Sequence, residues 1–475
     1  DVPRYVRFVK EGKFEEATAV VHEKIPFPEC LGHVCAHACE GKCRRGEVNE
    51  PVSIRNIKRY AAEHANNQMW KANSKHLPKT GKKVCVVGGG PAGMTAAYYL
   101  AKQGHETVLK EAMPKLGGQL QYGIPSYRLP REVVDREAGY LQDAGVRVET
   151  GCRVEKPGEL LKEFDAVLMA IGTHKGVLLP MEGSQLPGVL LNADFLQKVP
   201  MGEDIRMGQR VIVLGGGNVA FDCARSARRL GAKEVHMACL EDREHMPADE
   251  EEILQAQEEG IRIHPGCTFE RICGSEQVTG VEFCKVKSFS FDENRRAVIE
   301  KEEGSNHIIE GDTVIFAVGQ RPDLTPEAGL ELGRGNSIVV KDGTLKTSQE
   351  GIFACGDAVY GTKTVIQAVA SGREAAAEID RYLGGDGNID EVLAPVQEKP
   401  AWIGKIQGFG YEKRAPEEFL APEEREDNFH PISKGICDEN ICGEAGRCLQ
   451  CDLRFEITGH RLWSDYSEQG KEAPQ

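Results

Sequence analysis

The sequence predicts an α/β protein with two Rossmann-like dinucleotide-binding domains. An α-helical cysteine domain precedes them and a cysteine-rich arm follows. Three observations predict this. Strand, glycine turn and helix succeed one another twice, at 84–103 and at 210–230. Residues 1–75 carry apolar residues at helical spacing around a knot of four cysteines. Beyond residue 385 the text turns proline- and acid-rich and ends in four more cysteines. The expected domains are 1–78 (helical, cysteine-bearing), 79–205 and 310–385 (the two parts of the first dinucleotide domain), 206–309 (the second) and 386–475 (the arm).

A chain of 475 residues is long enough for two or three domains with cores of their own. No apolar run approaches a bilayer span, and the start has no signal-peptide pattern, so no membrane insertion is expected. Fifty-nine basic against 74 acidic residues leave a formal charge of −15, which argues against nucleic acid and anionic membranes as partners. The sixteen cysteines cluster at the two ends, unlike a disulfide framework; this points to metal centres and to a reducing, cytoplasmic compartment. Asp1 stands where an initiator methionine would, so an upstream segment is expected.

In the first 75 residues the apolar spacing predicts helices over 4–10, 14–22 and 54–70. Between them lie Cys30, Cys35, Cys39 and Cys43, the last three at every fourth residue. Thiolates so placed select an iron–sulfur cluster or zinc, and spacing alone leaves both open. His33 and His37 read as surface or capping residues rather than ligands.

The first glycine turn, Gly88-x-Gly90-x-x-Gly93, follows a short apolar strand. Its first glycine allows the turn, the second lets a pyrophosphate approach, and the third lets the helix opened by Pro91 and Ala92 pack on the strand. The next strand ends at Glu111, about twenty residues on, where a carboxylate bonds a ribose hydroxyl pair. Gly118, Gln119 and Arg128 follow in loops expected to meet phosphate or flavin. The strand at 165–169 ends in a turn at Gly172, which can meet a nucleotide.

The second turn is Gly215-x-Gly217-x-x-Ala220, with Asn218 and Val219 opening its helix. Its acid is Glu241, which suits the free ribose of NAD(H) better than the 2′-phosphate of NADP(H). Arg243 is the one base nearby. An acidic helix over 247–259 reads as a solvated face, and 278–310 alternates like a hairpin around Asp292-Glu293-Asn294. Residues 313–320 repeat the strand and turn of 165–172, at Gly319. A further strand ends in Gly356-Asp357, a carboxylate placed to bond a sugar-alcohol hydroxyl, while Cys355 reads as core packing. Thr364 and Val365 then open a helix whose N-terminus can face the electron-rich edge of a flavin. The arm at 386–432 has little core of its own and delivers Cys437, Cys442, Cys448 and Cys451. Four thiolates so close hold [4Fe–4S] or zinc; the cluster is preferred in a chain otherwise built for electrons.

Together these residues resemble the small (beta) subunit of glutamate synthase and its relatives, which are built like the disulfide-reductase flavoproteins with two dinucleotide domains. The resemblance covers about residues 20–385. It rests on Gly32-His33-Val34-Cys35, Cys39-Glu40-Gly41-Lys42-Cys43, the first glycine turn, Gly123-Ile124-Pro125-x-Tyr127-Arg128-Leu129-Pro130, Gly215 to Ala220, Met246-Pro247-Ala248 and Ala354-Cys355-Gly356-Asp357. It implies FAD held by Gly88, Gly90, Gly93, Glu111 and Asp357, a nicotinamide nucleotide held by Gly215, Gly217 and Ala220, and [4Fe–4S] clusters. Three features depart from the family. Leu240 and Glu241 stand where NADPH-using members often carry an arginine pair. The upstream cysteines that usually share two clusters with those at 30–43 are absent, which leaves Cys30 the weakest ligand. No closely spaced redox cysteine pair sits on the flavin domain, so a disulfide-reductase activity lacks its second centre.

The expected function is an electron-transfer subunit that passes electrons between NAD(P)H, NADH favoured, and iron–sulfur clusters via FAD. No side-chain acid, base or nucleophile is required. The expected partner is a redox subunit carrying iron–sulfur or flavin centres, or a ferredoxin, in a hetero-oligomer. Two alternatives stand beside this: a glutamate synthase small subunit proper, feeding a large amidotransferase subunit, and a flavoprotein scaffold with structural zinc.

Overall fold

The computed structural model describes residues 1–292, 297–341, 343–397 and 407–453. Its centre is a pair of five-stranded sheets. The first runs Ile352–Ala354, Ala166–Met169, Lys83–Val87, Glu106–Lys110, Arg147–Glu149. The second runs Val189–Leu191, Thr313–Phe316, Arg210–Leu214, Glu234–Ala238, Arg262–His264. All neighbours within each are parallel. The central strands are apolar and buried after their first residue, because helices cover both faces of a parallel sheet. Each glycine turn leaves the C-terminal end of its central strand, where open α/β sheets hold ligands.

The chain passes between the sheets on an antiparallel ribbon, Lys175–Gly176 against Gln320–Arg321. These crossings replace the boundaries expected at 205 and 310, since Val189–Leu191 and Thr313–Phe316 pair with each other in the second sheet. Strands of three or four residues carry no local mark of the sheet they join. An antiparallel layer of Cys267–Gly274, Val278–Phe291, Ala297–Lys301 and His307–Glu310 packs on the second sheet through Ile272, Val281 and Phe283. The hairpin expected after 278 is therefore a larger layer; Glu293 and Asn294 of its tip lie outside the described residues.

At the N-terminus five helices form: Val2–Lys10, Phe14–His22, Pro28–Val34, Ile54–His64 and Gln68–Asn73. The single helix expected over 54–70 is interrupted, and Asn67 takes a left-handed φ of 61°. Val6, Phe8, Val20, Ile57 and Trp70 build a core there. The arm enters that core with Leu393, Ile436, Ile441 and Ala445. Its helix Asp438–Gly446 lies between Cys437 and Cys448, within the run of four cysteines expected to hold one metal centre. Two arm residues bridge to the second dinucleotide domain: Arg425 pairs with Glu258, and Glu417 shares Arg55 with Glu251. Among the described residues, no helix is long and apolar enough to cross a membrane.

Candidate cofactor and metal sites

The first turn is shaped by close backbone approach. Gly88 has φ +106°, and a Cβ on Gly93 would collide with the Gly88 carbonyl, so the Pro91–Lys102 helix can sit on the turn only with glycine there. Gly90 is the helix N-cap. Glu111 is bonded to the turn: Gly89 N–H donates to its Oε2 at 2.6 Å and Met113 N–H to its Oε1 at 2.7 Å. Gly117 N–H donates to Gly89 O at 2.8 Å, which brings the 117–119 loop over the turn. Gly118 there has φ +52° and faces Gly90. Gln119 Nε2 reaches Thr173 O at 2.9 Å and so ties this loop to the Gly172 turn. Thr173 in turn meets Thr362, hydroxyl to hydroxyl, at 2.9 Å.

A long helix, Val365–Tyr382, crosses the Pro91–Lys102 helix backbone to backbone, because Gly372 lies against Ala92 with no room for a side chain. This crossing carries Gly356, Asp357 and the helix start at Thr364 to the same end of the first sheet. Thr364 and Gln367 form a capping box. Ser371, which nothing local in the sequence marks, is buried and accepts Gly356 N–H at 2.9 Å. Asp357 is mostly buried and accepts Lys363 N–H at 3.2 Å; burial pushes its carboxyl up to about 6. These groups fit a flavin dinucleotide, with glycine backbone for the pyrophosphate, one acid for each sugar and a capped helix N-terminus at the same end of the sheet.

The second turn repeats the plan with a side chain added. Gly215 has φ +140°, Gly217 is the N-cap of Asn218–Arg229, and Ala220 is fully buried at the packing position. Asn218 exchanges hydrogen bonds with Asp249: it accepts Asp249 N–H at 2.8 Å and donates to Asp249 Oδ2 at 3.0 Å. It thereby fixes the loop after Met246-Pro247-Ala248. Glu241 lies beside the middle glycine, its Oε2 3.4 Å from where a Gly216 Cβ would be. The Cys239 thiol sits against it, pushed up to about 12 by burial first and by Glu241 second. Arg243 is exposed and paired with Glu250 at 2.6 Å. Val219 is half-buried, and Gly319 has φ +119° in the turn after Thr313–Phe316.

Arg128 is the clearest correction. Expected at phosphate or flavin, it is instead bonded to Asp222 at 2.8 and 2.9 Å and to Glu252 at 2.8 Å. Both carboxylates belong to the second dinucleotide domain. Tyr127 beside it lies under the Arg225 and Arg229 guanidinium groups, 4.7 and 4.0 Å from its ring centre. Arg225 and Arg229 both pair with Glu259, and Arg225 also with Glu252. The Gly-Ile-Pro-x-Tyr-Arg-Leu-Pro loop thus clamps the two domains through a buried, mutually compensated charge network.

The cysteines divide otherwise than their spacing suggests. Cys30 is buried with the flavin-domain core, away from the metal group expected for it. Its N–H and that of Glu29 donate to the Glu137 carboxyl at 2.9 and 2.7 Å, so Glu137 caps the Pro28–Val34 helix from the neighbouring domain. Burial pushes Glu137 up to about 8 and the Cys30 thiol well up. Cys35 and Cys39 are neighbours, with the buried Lys58 beside both; burial holds that ammonium below its usual range. Tyr5 is buried too, and burial first, then the charges of Cys39 and Cys35, push its hydroxyl well up; spacing reveals neither Lys58 nor Tyr5. Of the arm cysteines, Cys437 caps the Asp438–Gly446 helix and accepts from Asn440 Nδ2 at 3.0 Å. Cys442 is exposed and faces Val9 O at 3.5 Å. Partly exposed thiols with a buried ammonium in their field suit an anionic iron–sulfur centre.

Comparison with known proteins agrees with this architecture. Residues 82–372 match the family model described as pyridine nucleotide-disulphide oxidoreductase, and residues 1–70 match dihydropyrimidine dehydrogenase domain II, 4Fe-4S cluster. The chain is 34% identical over 499 residues to the NADPH-Fe(3+) oxidoreductase subunit beta of Geobacter sulfurreducens, spanning 95% of this chain and 73% of that protein. It is 34% identical over 493 residues to the NADP(+)-dependent formate dehydrogenase subunit beta of Moorella thermoacetica, spanning 95% and 69%. It is 33% identical over 406 residues to the glutamate synthase [NADPH] small chain of Escherichia coli K12, spanning 80% and 86%. Among solved structures, FprA of Mycobacterium tuberculosis superposes with a TM-score of 0.56 at 17% identity over 65% of this chain and 85% of that one, a likeness of fold.

Proposed function

The chain belongs to the pyridine nucleotide-disulphide oxidoreductase family, and from that premise we propose that it is the flavin-bearing electron-transfer subunit of a larger redox complex. It is an NAD(P)H-dependent FAD oxidoreductase with a 4Fe–4S domain at its N-terminus. When bound, FAD accepts hydride from the nicotinamide and releases single electrons to iron–sulfur centres. The chain's own residues position these groups. Gly88, Gly90, Gly93 and the start of the Pro91–Lys102 helix, with Ala92, hold the pyrophosphate. Glu111 holds the adenosine ribose, Asp357 the ribityl chain, and the Thr364–Val365 helix start faces the flavin ring. Gly118 and Gln119 close over the turn, and Gly172 and Gly319 shape the two crossings between domains. Gly215, Gly217, Val219 and Ala220 receive the nicotinamide nucleotide, with Asn218 shaping the loop beside it.

The observation that carries this reading is the matched pair of sheets, each with its glycine turn at the ligand end and joined by one ribbon. Glu241 beside the second turn favours NADH in this chain, although the relatives are named for NADPH or NADP(+). The test is anaerobic reduction of the flavin-loaded protein by each nucleotide, followed at the flavin absorbance. Flavin bleaching followed by cluster reduction supports the subunit role; bleaching with no electron reaching iron overturns it. Faster reduction by NADH supports the role given to Glu241, and a clear preference for NADPH overturns that role. Co-purification from the native source identifies the partner, expected to be a second redox subunit.

A further inference from the structure

The last two cysteines of the arm do not stand with the first two. Helix Asp438–Gly446 lies on the N-terminal helices, and its far end is latched to the loop after Cys43. Arg45, fully buried, donates to Arg447 O at 3.2 Å. Arg447 donates to Glu50 O at 2.6 Å and to Asn49 Oδ1 at 3.2 Å. These bonds join the residue two past Cys43 to the residue just before Cys448. Arg7 of the first helix then holds the other side of the Cys448–Cys451 loop, reaching both Asp452 oxygens at 2.8 and 3.0 Å and Gln450 Oε1 at 3.4 Å. Within the loop, Gln450 takes a left-handed φ of 47° and its N–H points at the Cys448 sulfur at 3.4 Å. An N–H aimed at sulfur is a common partner of a ligating thiolate. Cys43 and Cys448 pack against the same core, and Cys448 has Cys43 and Cys451 within electrostatic reach.

We propose that Cys43, Cys448 and Cys451 are ligands of one iron–sulfur cluster, so that the C-terminal arm completes a centre of the N-terminal domain instead of building its own. Cys437, at the opposite end of the helix, and Cys442, turned toward Val9 O, lie outside it. The arrangement ties the arm to both neighbours before the ligands are reached, since Arg414 and Glu417 pair with Glu40 and Arg55 of the N-terminal domain and Arg425 with Glu258 of the second dinucleotide domain. Cluster assembly and docking of the arm are then one event.

The inference rests on the iron–sulfur reading above, and the test separates the two. The full chain is loaded anaerobically, and iron per flavin is measured for wild type, Cys43→Ser, Cys448→Ser and the double variant. Each single variant is expected to lose one cluster, about four irons, and the double variant is expected to lose no more than either single. Losses that add in the double variant mean separate centres and overturn the shared site. Retained flavin absorbance shows that a variant has folded. A second measurement needs no variant: alkylation mapped by mass spectrometry on the wild-type chain before and after loading. Cys43, Cys448 and Cys451 should become protected together and be released together when a chelator and oxidant destroy the cluster. Protection of Cys448 and Cys451 with Cys437 and Cys442, while Cys43 stays reactive, overturns the proposal. A wild-type chain that binds flavin but no iron overturns the iron–sulfur reading itself, and this inference with it.

Discussion

In the first dinucleotide domain, Glu111 accepts two backbone N–H groups, at 2.6 and 2.7 Å, before any ligand arrives. In the second, Glu241 stands at the same place beside the middle glycine, but its neighbour is the Cys239 thiol and no turn N–H reaches it among the described residues. The packing position differs in the same sense. Gly93 tolerates no side chain, whereas Ala220 carries one in a buried site. Under the proposed function, the first site is the more preorganised, as suits a resident cofactor, and the second is looser, as suits a diffusing nucleotide. Preorganisation lowers the ordering cost of binding and so slows release. Two sites with one sequence plan can thus hold a resident cofactor and a diffusing substrate.

The largest effect should come from breaking the first turn. Gly93→Ala is expected to abolish flavin retention after gel filtration, read as lost absorbance, while Ala220→Gly keeps flavin and costs about 1 kcal/mol of stability from helix propensity. Equal flavin loss in both would erase the distinction. Next comes the clamp between the two domains. Arg128→Met leaves Asp222 and Glu252 buried without their shared cation and should cost about 3–5 kcal/mol in denaturant unfolding. An unchanged midpoint would mean that the domains are held elsewhere.

The two acids then separate by kind of effect. Glu111→Ala should weaken flavin binding about 10- to 100-fold, because buried turn N–H groups lose a charged acceptor worth about 1.5–3 kcal/mol. Glu241→Ser should leave flavin in place and shift the ratio of NADH to NADPH reduction rates toward NADPH by about tenfold, the worth of one carboxylate facing a phosphate. Flavin loss in the Glu241 variant would contradict the division of labour. The smallest effect is on pH dependence. Burial raises Asp357 to about 6, so the folded chain holds that proton more tightly than the unfolded one. Its contribution to stability is complete below about 4, the unfolded value, and is lost as pH rises through about 6. The flavin-free wild type should therefore lose melting temperature as pH rises from about 4 to about 6, relative to Asp357→Asn, and run parallel to it above that. Curves parallel over the whole range would remove Asp357 from the account.

Both turns, the acids after them and the Gly356-Asp357 ending could be read from the chain because each is a local device. A left-handed glycine, a helix packed on a strand and a carboxylate one strand further on leave marks within about twenty residues. The helical N-terminal domain was legible for the same reason, through spacing on a helix face. The expectation for Arg128 fails because an arginine among glycines looks alike whether it faces a phosphate or the acids of another domain. Its partners, Asp222 and Glu252, lie about a hundred residues away. Nearness in sequence groups Cys30 with Cys35, yet the Pro28–Val34 helix buries it against Glu137 of the flavin domain.

Local text therefore settled which dinucleotide folds form, where their turns lie and which residue types can ligate metal. It left open which thiols share a centre, which cations are spent holding domains together and where the chain changes sheets. Those depend on pairings such as Arg45 with Arg447 and Arg7 with Asp452, some four hundred residues apart. Contacts at that separation follow no period in the sequence; they exist only once the cores have closed and brought the two ends of the chain together.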